Sequence, residues 1–358
     1  METVFDQQCA VHIGEGCLRA ADEIPIRRQG RTCVLVCERH AAPLILPPLM
    51  ENCPRLSKLP LYYLDASEPG KQIETLLPLW HEWARDGLDR HTSVILVGGG
   101  VLCDMGGFAA SVYKRGIPFY AIPTTLLAMA DASVGGKTAV DLGEIKNILG
   151  NFHRSEAVWI DPVFLKTLPR NEFLSGAAEI LKMQFIGNPG LSFAELEKCL
   201  DPGTFPLSLL HFAIAEKARI TGIDFYEENI RKTLNFGHTF GHAFEALALK
   251  QNRPIAHGQA VAHGMVCELY LSCLLAGCPK HLFVQTARLI NRHYGIFRYG
   301  KEDIPELLGY MLNDKKNRNG QIFPVLLQDA GKSLYTESVG TDPLLQTLNT
   351  YPFNTDLD

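Results

Sequence analysis

Two histidines four residues apart, His238 and His242, stand in the stretch RKTLNFGHTFGHAFEAL, residues 231–247. If this stretch is helical, both rings lie on one face. Each follows a glycine, Gly237 and Gly241, so neighbouring backbone or a ligand can come close to that face. A third histidine, His257, falls in AHGQAVAHG, another glycine-flanked stretch leading into an apolar helix. Three imidazoles carried by two helices are the raw material of a metal site. Histidine pairs at this spacing also serve as core or capping residues, so spacing alone leaves both readings open. Glu179 and Lys182 lie three apart in AAEILKMQF. On an exposed helix such an ion pair contributes only about 0.2–0.5 kcal/mol. Here the flanking Ala, Ile, Leu and Phe indicate a buried helix, where a carboxylate is costly unless it is paired or ligates a metal. Glu179 is therefore the candidate oxygen ligand to join the histidines.

A second chemistry-bearing stretch is Val97-Gly98-Gly99-Gly100-Val101, which follows a strand-like run and leads into a helix expected to begin near Asp104. Bare backbone amides and the positive end of a helix dipole can together cradle a pyrophosphate. The dinucleotide fingerprint is incomplete, because its third glycine position holds Cys103, and ordinary tight turns also use such triplets. Polar groups then accumulate downstream: Lys114-Arg115-Gly116, Pro123-Thr124-Thr125, Asp131 to Thr138 (DASVGGKT) and Lys146-Asn147. The Gly-Gly-Lys-Thr run lacks P-loop spacing, which argues against ATP hydrolysis. These residues are embedded among small and apolar ones, which a merely solvated loop would not need.

The elements that must position these groups change character along the chain. Short apolar, β-branched runs at 32–37, 93–97, 119–123 and 157–160, with a helical pattern at 72–86, predict a parallel sheet with crossover helices. From residue 171 the helical period dominates, at 173–186, 205–221, 238–249, 259–275 and 281–294, with one further strand at 322–327. The fold class expected is an α/β domain over 1–169, with a Rossmann-like parallel sheet, followed by an all-α domain over 170–358.

Composition narrows the function classes. The 358 residues are 46% hydrophobic and 20% charged, with a formal net charge of −5, so nucleic acid is not an expected partner. Ten cysteines are scattered without a CxxC pair and read as reduced thiols in a reducing compartment. The N-terminal segment lacks a secretory pattern, and no window of 18 residues is apolar enough for a membrane span, so a cytoplasmic protein without a membrane partner is expected.

The blocks GGGVLCDMGGF, KRG, IPTTLLAMADASVGGKT, IKNILGNF, AAEILK, RKTLNFGHTFGHAFEAL and IAHGQAVAHGM stand in one order. Together they closely resemble the 3-dehydroquinate synthases, sugar-phosphate cyclases of the shikimate pathway, over most of the chain. The resemblance implies an NAD-binding α/β domain, a helical domain and a homodimer. It implies zinc, or cobalt, one ion per subunit, held by Glu179, His238 and His257. His242 would instead face the substrate phosphate and serve proton transfer, with Glu227 as a second proton-transfer residue and Lys182, Lys137 and Asn147 at the reacting centre. The implied NAD contacts are Glu68, Lys71, Gly98, Gly99, Gly100, Asp104, Thr124, Thr125, Lys146 and Thr167. The implied substrate contacts are Asp131, Lys137, Asn147, Lys182, Lys217, Arg231, Asn235 and Lys315 or Lys316, with Arg115 reaching the neighbouring subunit's site.

The family substrate, 3-deoxy-D-arabino-heptulosonate 7-phosphate, carries a carboxylate and a phosphate, which the lysines and bidentate arginines suit. Transient oxidation by NAD, phosphate elimination, re-reduction and an intramolecular aldol would give 3-dehydroquinate. Three departures from the family pattern stand out. Glu38 replaces an aspartate after the early strand and can still reach a ribose hydroxyl. Met183-Gln184-Phe185 replaces a Tyr/His-Gly pattern, and Cys103 is not the usual residue at its position. The rivals are a sister cyclase whose heptulose or hexose phosphate lacks the carboxylate, a metal-dependent alcohol or glycerol dehydrogenase, and a catalytically dead relative. Arg231, Asn235, Lys217 and the Asp314-Lys315-Lys316 run favour the carboxylate-bearing substrate. The crowd of cations Arg115, Lys137 and Lys217 speaks against a simple dehydrogenase, and the intact set of ligands and lysines against a dead one.

Overall fold

The computed structural model describes residues 1–24, 31–143, 145–313 and 321–353. The chain packs as two units: Met1–Pro169 with Leu210–Gly222, and Arg170–Leu209 with Ile223–Asp358. The segment Leu210–Gly222, which lies beyond the expected boundary at residue 169, packs with the first unit. The 3.6-residue period marks it as a helix, but period does not say which unit that helix joins.

The first unit is built on a seven-stranded sheet in the order β1-β2-β9-β6-β5-β3-β4. The strands are β1 (Glu2–Asp6), β2 (Cys9–Ile13), β3 (Cys33–Glu38), β4 (Leu61–Leu64), β5 (Ser93–Gly98), β6 (Phe119–Pro123) and β9 (Ala157–Ile160). All neighbours run parallel except β1 and β2, which form an antiparallel edge. The four apolar runs of the sequence form four of these strands, since the interior of a parallel sheet is covered on both faces and demands near-continuous Val, Ile and Leu. β4 has an exposed position within it, and β1 is largely exposed, so neither carries such a run.

β7 (Lys137–Leu142) and β8 (Ile145–Phe152) pair as a separate antiparallel hairpin in a stretch where no strand is expected. Strand order reverses at β3, whose neighbours are β4 on one side and β5 on the other. In open α/β sheets the crevice at such a reversal, outside the carboxyl ends of the strands, is the usual ligand site. The helix Gly100–Val112 begins at Gly100, four residues before the expected Asp104, so the glycine triplet runs straight from strand into helix.

The second unit is mainly helical, with helices Arg170–Ile186, His238–Lys250, His257–Leu275 and Lys280–Tyr294 matching the helical periods. It also carries a short antiparallel hairpin, Leu326–Asp329 with Lys332–Leu334, where a strand at 322–327 is expected. The helices His238–Lys250 and His257–Leu275 pack closely because glycines remove side chains at their contact. A Cβ built on Gly264 would lie 1.9 Å from the Gly237 carbonyl oxygen, and Gly237 itself has φ +83°. A Cβ on Gly258 would meet the Ser175 carbonyl at the same 1.9 Å, which brings the helix Arg170–Ile186 against the same pair.

Candidate functional site

Three side chains of the second unit converge. Glu179, His238 and His257 each offer a ligand atom, and these atoms lie within 4.8 Å of one another. Glu179 Oε1 is 3.9 Å from Nε2 of His238 and 3.8 Å from Nε2 of His257. Glu179 is fully buried in the helix Arg170–Ile186, with Lys182 Nζ against its other oxygen, Oε2. Its Oε1 accepts no hydrogen bond among the described residues. A buried carboxylate oxygen left this way costs roughly 1–3 kcal/mol or more unless something takes its lone pairs. One carboxylate and two imidazoles form a donor set suited to zinc or cobalt, with coordination positions left open for a substrate or water.

The far sides of both imidazoles are fixed. His238 Nδ1 lies 3.1 Å from the carbonyl oxygen of Phe236. A carbonyl can only accept, so Nδ1 carries the proton and Nε2 keeps its lone pair toward Glu179. His257 Nδ1 is likewise 3.3 Å from Oε2 of Glu245. Glu268, fully buried on the helix His257–Leu275, accepts the N–H groups of Gly237 and Thr239 on either side of His238. The His242 ring centre is 5.3 Å from that of His238 and 6.1 Å from that of His257, beside the three ligands but outside their set.

A loop that follows Ile223 completes this unit's polar face. Asp224 accepts the N–H groups of Glu228, Asn229 and Arg231, and these bonds hold its carboxyl below the ordinary aspartate range despite the opposing effect of burial. Asn235 Nδ2 donates to Glu227 Oε1 at 2.7 Å, and the buried Arg231 donates to the Phe225 carbonyl at 2.6 Å. Glu227 has φ +61°, a sparsely populated conformation for a residue with a side chain. Two other expected site residues, Arg115 at +68° and Asn147 at +51°, share it.

In the first unit the reversal at β3 places Glu38, the last residue of β3, against the glycine triplet. Its Oε2 accepts the Gly99 N–H at 3.1 Å. Thr124 N–H donates to the Gly98 carbonyl, and Thr125 Oγ1 accepts the Ala128 N–H. Lys71 Nζ donates to Asp104 Oδ2 at 2.6 Å; burial opposes the ammonium, but Asp104 outweighs it and raises the lysine pKa. Lys146 Nζ pairs with Glu68 Oε1 at 2.7 Å. Lys217, buried, contacts both the backbone and the side-chain oxygen of Asp131. Asn147 N–H donates to Asp141, and Lys137 opens β7 directly after the positive-φ glycines Gly135 and Gly136. Thr167 has a local partner, the Phe164 carbonyl at 3.4 Å. Lys315 and Lys316 lie outside the described residues.

Three acidic residues that hold groups of the site escape the sequence reading. Glu245 shares a helical face with His238 and His242 by spacing, but nothing local pairs it with His257. Glu268 shows as a lone acid inside an apolar run. Nothing local marks Asp224, whose role comes from the turn that follows it.

A Rossmann-like unit with a glycine turn at its strand reversal, together with a helical unit carrying a carboxylate–bis-histidine site, defines a class of nucleotide- and metal-binding enzymes. The chain matches the family models described as 3-dehydroquinate synthase N-terminal, over residues 61–175, and 3-dehydroquinate synthase C-terminal, over residues 176–317. It is 39% identical over 306 residues to the 3-dehydroquinate synthase of Parabacteroides distasonis, covering 85% of this chain and 87% of that one. It is 35% identical over 346 residues to that of Azotobacter vinelandii, covering 95% and 93%. Among solved structures, the 2-epi-5-epi-valiolone synthase ValA of Streptomyces hygroscopicus subsp. jinggangensis, with NAD+ and Zn2+ bound, superposes with a TM-score of 0.84 at 26% identity over 98% of each chain. The chain belongs to the 3-dehydroquinate synthase family, and 3-dehydroquinate synthesis is its activity. No helix among the described residues is long and apolar enough to cross a membrane.

Proposed function

We propose that this chain is a phosphate-eliminating lyase that uses NAD and one zinc or cobalt ion per subunit. Its substrate is 3-deoxy-D-arabino-heptulosonate 7-phosphate and its products are 3-dehydroquinate and phosphate. The observation that carries the reading is the convergence of Glu179, His238 and His257 around an unsatisfied buried oxygen, in a chain of this family. When bound, NAD supplies a reversible hydride acceptor and the metal supplies a Lewis acid that makes a neighbouring hydroxyl easier to oxidise.

The residues of each unit suit their parts. In the second unit, Glu179, His238 and His257 hold the ion, and His242 beside them is the proton-transfer group for the departing phosphate. Lys182, Arg231 and Asn235 bind anionic and hydroxyl oxygens, and Glu227, paired with Asn235, is the second proton-transfer residue. In the first unit, Glu38 and Gly98–Gly100 receive the nucleotide with Asp104, Lys71, Glu68, Lys146, Thr124, Thr125 and Thr167. Lys137, Asn147, Lys217 and Asp131 serve the substrate. Lys217, held by Asp131, is positioned in advance, so little side-chain entropy is lost when an anion arrives. We assign residues 1–169 with Leu210–Gly222 to the nucleotide role and the remainder to the metal. We further propose a homodimer in which Arg115 serves the partner's site. The cytoplasm is the proposed compartment, since none of the ten cysteines is in a disulfide and nine are buried.

Phosphate release from this substrate, with NAD+ and zinc and with NADH absorbance followed in parallel, tests the reading. Release without NADH accumulation, abolished by a chelator and by His238→Ala, supports it. Release only from a heptulose phosphate lacking the carboxylate makes the chain a sister cyclase, and accumulating NADH without phosphate makes it a dehydrogenase.

A further inference from the structure

The two histidine ligands are oriented by different kinds of acceptor. His238 is held by the Phe236 carbonyl two residues before it, a neutral group fixed by its own backbone. His257 is held by the Glu245 carboxylate, 12 residues away on another helix. His257 is the first residue of the helix His257–Leu275, so no preceding turn of that helix packs against its ring. Its Nδ1 contact with Glu245 at 3.3 Å lies on the side of the ring away from Nε2, which stands 3.8 Å from Glu179 Oε1.

We propose that Glu245 is a positioning residue for the metal centre, fixing the tautomer and ring orientation of His257 and making that imidazole the more strongly donating of the two. The proposal rests on the metal reading above. Glu245 does not itself belong to the group of ligand atoms that lie within 4.8 Å of one another, so it acts through His257 and not as a fourth ligand. It is partly buried, at 17% side-chain exposure, so solvent screens its contact with the ring less than it would an exposed one. A carboxylate behind a ligating imidazole raises the basicity of the metal-bound nitrogen, and its removal generally weakens metal affinity about 10–100-fold.

The test compares metal-depleted full-length protein with Glu245→Gln and Glu245→Ala, titrating zinc against a chelator and recording the visible spectrum with cobalt. Thermal unfolding of each metal-free protein runs in parallel. The expected result is an affinity loss of about 10–100-fold for Glu245→Ala. Glu245→Gln should lose less, since its amide oxygen still accepts from Nδ1. The cobalt spectrum should shift in both variants, and the metal-free melting temperatures should stay unchanged. Wild-type affinity in Glu245→Ala overturns the proposal. So does a fall in metal-free stability with unaltered affinity of the folded protein, which makes Glu245 a folding residue only. If instead the wild-type chain binds neither ion, or Glu179→Gln binds as well as wild type, the metal reading itself has failed.

Discussion

Glu268 accepts the backbone N–H of Gly237 at 2.8 Å, although 31 residues separate them and both are buried. Its second oxygen takes the Thr239 N–H at 3.0 Å, so one carboxylate satisfies two of the free amides at the start of the helix His238–Lys250. The positive end of that helix dipole favours the charge. Glu268→Ala should leave both amides unsatisfied and destabilise the protein by about 2–5 kcal/mol. Glu268→Gln, which keeps one acceptor, should lose less. Denaturant unfolding of metal-free protein measures both, and equal stability of Glu268→Ala and wild type would contradict the capping role.

Gly264 should tolerate no side chain. The added methyl of Gly264→Ala would collide with the Gly237 carbonyl, which is backbone and cannot rotate away. Separating the two helices by even a few tenths of an ångström moves His238 relative to His257. The variant should lose about 1–3 kcal/mol of stability and most of its zinc affinity together. Calorimetry with and without zinc reads both, and a variant that keeps full affinity would show that the helix contact does not set the ligand spacing.

Glu38 stands where the strand order reverses, and its contact with Gly99 puts its carboxylate at the glycine turn. Glu38→Ala should weaken NAD binding by about tenfold or more, the loss of one or two charge-assisted hydrogen bonds to a ribose. Zinc affinity should not change, because the ligands lie in the other unit. Fluorescence titration with NADH and zinc competition test the two halves separately. A drop in both would point to general unfolding.

His263 supplies a pH dependence. It is fully buried in the helix His257–Leu275, with Nδ1 3.2 Å from the Tyr351 hydroxyl, and burial pushes its pKa down from 6.5 to about 4. The unfolded chain therefore binds this proton first. Stability from the neutral ring is complete above about pH 6.5 and is lost as pH falls toward 4, a loss on the order of 3 kcal/mol. His263→Gln should flatten that part of the stability–pH profile. An unchanged slope between pH 6.5 and 4 would assign the acid sensitivity elsewhere.

The sequence by itself determined the local elements and the chemical inventory. The apolar runs of β3, β5, β6 and β9, the helical periods of the second half and the Gly-flanked histidines are set by residues within one or two turns of each other, and such patterns survive without tertiary information. Spacing alone left open which of the three histidines join Glu179, the family resemblance implied His238 and His257, and the packed structure brings those two against it. His238 and His242 share a helical face by spacing, yet it is His257, brought in by the Gly264–Gly237 contact, that completes the set. The same holds for Glu38 beside Gly99, for Glu245 behind His257, and for Leu210–Gly222 packing with the first unit. These relationships depend on close packing and strand order between segments distant in the chain. No local period encodes them, because a period fixes which face is apolar but not what that face meets.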